Sequence, residues 1–322
     1  MFGRRSDGRV VRMDDDPVVA LTPYLMPMRC DAQVMLSSKI DYERIARYIV
    51  SKGAQGHKIS FMDVIFAAYV RIISELPELN RFVVNKRMYV RNELGVSFVV
   101  LREGPDGKTQ ENVVQCKFDP HDTVFDVAAR TSQAILEGRK PEVDNATVKI
   151  AKLLLNPVLA TTIVGFVRLL DRYGLMPRAI QEASPFHTSM FFTNMMSIGL
   201  PSVFHHIYNF GTCSLFVSLG SVERGYAMNE KGEVQRKRYL PLGITADERV
   251  CAGHLYASMM ALFNKYLSDP SLLESPPQEV KYDQGMVYGM PPAPRKRELR
   301  KLRRMARKQR KKNARRPEKR LI

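Results

Sequence analysis

The stretch from Ser60 to Leu76 limits the fold more than any other. Val64, Ile65, Ala67, Ala68, Val70, Ile72 and Ile73 make it apolar almost all the way round. Ser60 stands ready as an N-cap and Pro77 stops the helix. A helix apolar on every side has to be enclosed by other elements. The chain can supply the enclosure: 322 residues, 45% apolar and 26% charged, suffice for one large domain or two ordinary ones.

The surrounding pattern mixes strands and helices without strict alternation. A strand is expected over Ala32–Lys39 and a helix over Tyr42–Val50, capped by Asp41. Arg81–Val84 and Met88–Arg91 flank an Asn85-Lys86-Arg87 turn, and Gly95–Leu101 and Thr109–Lys117 flank Pro105-Asp106-Gly107. Asp122 is expected to cap a helix running from Thr123 to about Glu137, and 147–173 reads as helical, broken at Pro157. Strands return at Ser189–Thr193, Ser214–Leu219 and Tyr239–Ala246, followed by a helix over Gly253–Leu267. No Gly-rich phosphate loop follows a predicted strand, which disfavours a nucleotide fold.

Charge is segregated. Arg295–Arg320 holds 16 Lys or Arg against two acids, a balance of +14 out of +17 for the whole chain. The expected organisation is an irregular segment over 1–30, a folded domain over 31–275, and a Pro-rich linker with a basic tail over 276–322. Sixteen cations in 26 positions oppose folding of the tail alone. Arg303, Arg304, Arg307, Lys308, Arg310, Lys311 and Lys312 are its candidate contacts to polyanions, either nucleic acid or an anionic membrane. No aromatics interleave with these charges, so base stacking is not expected. Cys30, Cys116, Cys213 and Cys251 lack metal-ligand or redox spacing. The first residues have no apolar core of a secretory signal, and the uncharged run Leu153–Val167 is shorter than a membrane span. A cytoplasmic protein is the expectation.

Chemistry concentrates at Leu240–His254, where a strand enters a tight turn and a helix starts at Gly253. Asp247-Glu248-Arg249-Val-Cys-Ala252-Gly253 resembles the D-H-R-x-x-D/N-G motif of dihydrolipoyl acyltransferase catalytic domains, and the H-H-x-x-x-D-G motif of the related chloramphenicol acetyltransferases. The resemblance continues in Leu76–Asn80 (H-P-x-L-N), Gly95–Val100, Phe191-Phe192-Thr193-Asn194 (F-T-I-S-N), Gly211–Gly220 and Tyr266–Leu273. It spans roughly residues 30–275.

That resemblance implies an α/β fold of the chloramphenicol-acetyltransferase-like type, a mixed β-sheet flanked by helices. It implies coenzyme A as acyl carrier, no metal, and a homotrimer with active sites between subunits. Carried over by position, Glu248 takes the place of the general base, Thr193 that of the oxyanion-stabilising hydroxyl, and Ala252 that of the acid. Asp247, Arg249, Gly253 and Asn194 match as structural or channel residues. No lipoyl domain is expected in this chain. A carboxylate and a thiol differ by about 4 pKa units, so Glu248 accepts a thiol proton uphill by about 5–6 kcal/mol. Burial of the carboxylate narrows that gap.

His254, one residue into the last helix, is a further base candidate if the register shifts. His205-His206 mimics the double-histidine spacing, but an apolar strand follows, so His206 is expected to be structural or interfacial. Two functional readings result. One is a CoA-dependent acyltransferase acting on a thiol or other small acceptor. The other is an inactive relative that binds or assembles, tethered by its tail.

Overall fold

Twelve residues of the apolar helix are buried, and its first turn is closed by reciprocal capping: the Ser60 hydroxyl accepts from the Asp63 N–H at 3.2 Å while the Asp63 carboxylate accepts from the Ser60 N–H at 2.8 Å. The computed structural model describes residues 5–12, 16–103, 108–140, 156–229 and 231–288. The chain divides into two compact units, Met1–Met290 and Pro291–Ile322, and the described residues all lie in the first. The tail cations proposed for polyanion contact lie outside them.

In chain order the strands are β1 (Gly8–Val10), β2 (Gln33–Asp41), β3 (Arg81–Val84), β4 (Arg87–Arg91), β5 (Leu94–Glu103), β6 (Thr109–Phe118), β7 (Met190–Asn194), β8 (Leu215–Leu219), β9 (Glu223–Met228) and β10 (Val234–Asp247). The helices are α1 (Pro17–Leu25), α2 (Tyr42–Ala54), α3 (Phe61–Glu75), α4 (Val124–Gly138), α5 (Pro157–Arg172), α6 (Arg178–Ala183) and α7 (Gly253–Ser268). The main sheet runs β2-β10-β8-β7-β5-β6, with β9 on the first half of β10. β7 is parallel to both β5 and β8, and the other pairs are antiparallel. A smaller sheet, β1-β4-β3, stands beside it.

Strand alternation sorts side chains between two cores. Met190 and Phe192 of β7 join Leu215, Val217 and Leu219 of β8 in the large core with α3, whereas Phe191 and Phe216 point the other way onto Ile207 and Cys213. Phe66 of α3 ties the helix to three strands, with ring centroids 5.6 Å from Phe98, 6.1 Å from Phe118 and 5.0 Å from Phe192. The β3–β4 turn uses positive φ at Asn85 and Lys86, as a two-residue hairpin requires.

Four expectations change. Thr123, not Asp122, caps α4, in a second capping box with Asp126, while Asp122 instead binds Arg130. β9 and the first half of β10 lengthen the sheet into a hairpin. The segment expected to be irregular holds β1 and α1, and Arg5 within it is buried. Arg5 binds Asp7 at 2.8 Å and Asp171 at 2.6 Å, and His187 Nε2 lies 3.2 Å from the same Asp171 oxygen without the alignment of a hydrogen bond. Nonlocal partners hold this segment, so its own periodicity does not reveal it. Residues expected to start a linker also pack on the body: Asp283 forms a two-pronged ion pair with Arg81 at 2.6 and 2.9 Å.

Burial alone would raise the Asp171 carboxyl, but the His187 ring and the Arg5 guanidinium outweigh it and hold the group at about 2. A depressed carboxylate stabilises the fold above its unfolded value of about 3.9, and that contribution is lost as pH falls toward the folded value. Acid unfolding should therefore show a loss of about 2–3 kcal/mol between pH 5 and 1. Denaturant titrations across this window should find the slope flattened in Asp171→Asn.

Candidate active site

The end of β10 is a turn held from all sides. Asp247 is fully buried and pairs with two guanidinium groups. Arg249 grips both carboxylate oxygens at 2.7 Å, and Arg29 Nε reaches Oδ2 at 3.3 Å. The Asp247 N–H donates to Ser214 O and its carbonyl accepts from the Tyr256 hydroxyl at 2.7 Å. The Glu248 N–H donates to Ala32 O at 2.9 Å. Arg29 sends its remaining donors to the carbonyls of Tyr208, Val83 and Gly211. Arg249 Nη1 donates to Met26 O at 3.0 Å. Burial lowers the Arg29 guanidinium from its ordinary value, against the pull of Asp247. Arg29 joins four segments, and its place in the expected lead-in concealed it.

Neighbouring residues of this turn face different cavities. Glu248, half-buried, stands in the wall of a cavity of about 620 Å³ with Val18, Val19, Met26, Leu36 and Tyr256. Arg249 stands in the wall of another, of about 430 Å³, with Arg29, Lys86, Arg168, Arg172 and, among the described residues, a single acid, Asp171. The first is apolar with acids, and the second is cationic.

Ala252 is the N-cap of α7 and offers no side-chain cap, so the helix starts at Gly253 without the acid expected from the resemblance. His254 is exposed at the start of α7 and stands in the wall of neither cavity. His206 is exposed and stacks on His205 at 4.5 Å, a packing role. Asn194 caps the short turn 195–198 by accepting from Ser197 N–H at 3.3 Å. The Thr193 hydroxyl is half-buried and lies 3.6 Å from Met195 Sδ.

Thr193 and Glu248 do not meet within one chain. Thr193 pairs with Ser218 and Ser218 with Gly243, so Glu248 lies five residues further along β10. That is about 16 Å along the strand and about 10 Å across it. Among the described residues no cluster of three His, Cys, Asp or Glu side chains offers a metal site, and no helix is long and apolar enough to cross a membrane.

The architecture is that of the chloramphenicol-acetyltransferase-like acyltransferases. The dihydrolipoamide acetyltransferase of Azotobacter vinelandii, in whose catalytic mechanism a serine, a histidine and an asparagine have been studied, matches with a TM-score of 0.51 and 14% identity over 82% of this chain and 91% of that one. The truncated catalytic core of a 2-oxoacid dehydrogenase complex from Thermoplasma acidophilum matches at 0.49 and 15% identity, over 81% and 99% of the two chains. A chloramphenicol acetyltransferase matches at 0.49 and 10%, with the same coverage. No protein-family model and no curated protein matches the sequence.

Two outcomes follow from the turn. Asp247→Asn strands two buried guanidinium groups and should cost about 3–5 kcal/mol in denaturant unfolding. Glu248→Gln should stay within about 0.5 kcal/mol of the parent. Burial also pushes the Cys116 and Cys251 thiols up to about 12, and Cys213 is buried too, whereas Cys30 is exposed. Titration of the native protein with an aromatic disulfide reagent should count one fast thiol, and four after denaturation.

Proposed function

We propose that the protein is a CoA-dependent acyltransferase with its site shared between protomers of a homotrimer. The observation that carries this is the position of Glu248: the end of β10, locked by Asp247 and Arg249, between a cationic cavity and an apolar one. In the Azotobacter enzyme the serine precedes the histidine by a little over fifty residues, and the asparagine follows four beyond it. Thr193 precedes Glu248 by 55, and Ala252 follows four beyond. Thr193 is then the oxyanion donor and Glu248 the proton acceptor.

The fit to CoA rests on the cationic cavity. Lys86, Arg168 and Arg172 are exposed at its rim, and they suit the phosphates of a CoA thioester. The strand register, which keeps Thr193 and Glu248 of one chain apart, supports a shared site. Exposed apolar residues on the β9–β10 hairpin, Tyr226, Met228 and Val234, supply a surface for self-association.

Turnover of acyl-CoA should fall about 10²–10³-fold in Thr193→Ala, the cost of one oxyanion donor. Glu248→Gln should fall as well. Co-refolding the two inactive variants should restore activity, because some sites then combine an intact Thr193 with an intact Glu248. Mixtures as inactive as their parents would rule out the shared site. A specific observation favours the binding or assembly alternative, namely that Ala252 leaves the helix start uncapped. Under it, acyl-CoA binds but no variant changes turnover, because there is none.

A further inference from the structure

We propose that the apolar cavity beside Glu248 holds the acceptor, and that this acceptor is an amine with an apolar body. The proposal rests on the acyltransfer reading above and names its second substrate. The cavity is built from three elements: α1 with its cap, β2, and the start of α7. Val18, Val19, Val34, Leu36, Ala257 and Met260 make most of its surface apolar.

Its charges are one-sided. Among the described residues, Asp16 and Glu248 stand in the wall and no Lys, Arg or His does. Asp16 uses one oxygen to cap the Val19 N–H at 3.0 Å. Among the described residues the Glu248 carboxylate has no hydrogen-bond donor and no ion pair, and the adjacent Arg249, like Arg29, is bound by Asp247. Two carboxylates without a cationic partner among the described residues, beside an apolar surface, favour a ligand that carries a positive charge on an apolar body. They repel fatty acids and the phosphates of CoA. A thiol brings no charge and requires a proton transfer that is uphill for a carboxylate. An amine also has to shed a proton, but it can give it to the solvent, and the free base then attacks a thioester without a carboxylate having to take a thiol proton.

The step balances as follows. The bound ammonium first loses one proton to the buffer. The nitrogen lone pair then forms a C–N bond with the thioester carbonyl carbon, and the C–S bond breaks. Sulfur leaves as thiolate and takes the nitrogen's second proton, which Glu248 holds in passing. The products are an amide, CoA and one proton released per turnover, whereas transfer to a thiol releases none.

The test uses the full chain and octylamine, with octanol, octanoate and octanethiol as comparators. Displacement of the neutral dye N-phenyl-1-naphthylamine should show octylamine binding about tenfold tighter than octanol, with octanoate weakest. Asp16→Asn with Glu248→Gln should erase that preference and leave octanol unchanged. Ala257→Trp, at an exposed helix position, should block all four ligands, and Val18→Trp repeats the test should the first variant misfold. Equal binding of octanol or octanoate, or a preference that survives the charge removal, overturns the proposal. With octanoyl-CoA, chromatography should find amide and free CoA, and an indicator dye should find one proton per amide. CoA release with octanethiol alone overturns the amine assignment and leaves acyl transfer standing. Charge-dependent amine binding without CoA release from any acceptor upholds the amine site and sinks the transfer reading alone.

Discussion

A single buried carboxylate holds the end of the long strand in place. Asp247 stands between Arg29 and Arg249, so the interior there carries one positive charge in excess. Carbonyl oxygens of Val83, Tyr208 and Gly211 accept from the Arg29 guanidinium, and that of Met26 from Arg249. Such a cluster adds little net stability compared with apolar packing, because desolvation offsets the attraction. Its effect is geometric. It binds the segment before β2, the β3 end, the 208–211 loop and the turn before α7 into one body. The backbone of Glu248 is thereby fixed, while among the described residues its side chain has no hydrogen-bond or ion-pair partner.

The sheet supplies the second constraint. β7 and β8 run parallel, and β10 returns antiparallel beside β8, so Thr193 and the turn at Glu248 point to opposite ends. On the proposed reading each protomer offers half of two different sites. The two cavities sort the ligands by charge, phosphates toward Lys86 and Arg172, a cationic acceptor toward Asp16 and Glu248.

Local signals in the sequence were legible where neighbours in the chain decide the outcome. The α3 cap at Ser60, the Asn85-Lys86 turn and the α7 start at Gly253 all belong to that group. What escaped depends on distant partners. Arg29 and Arg5 look like ordinary surface cations until Asp247 and Asp171 are brought beside them. β9 has a short alternation of Arg224, Tyr226 and Met228 that carries no core-facing stripe. The acids of the apolar cavity are 232 positions apart, so no spacing rule joins Asp16 to Glu248.

The nine-residue ladder between β2 and β10 has a consequence for how this protein can change. A slip of one position would turn every side chain to the opposite face. Residue 248 would then trade places with its cationic neighbour, and each pocket would receive the wrong sign of charge. Single replacements at the turn alter its chemistry by degrees. An insertion or deletion within β10 inverts it at one stroke, so the length of this strand is as much a determinant of specificity as the residues at its tip.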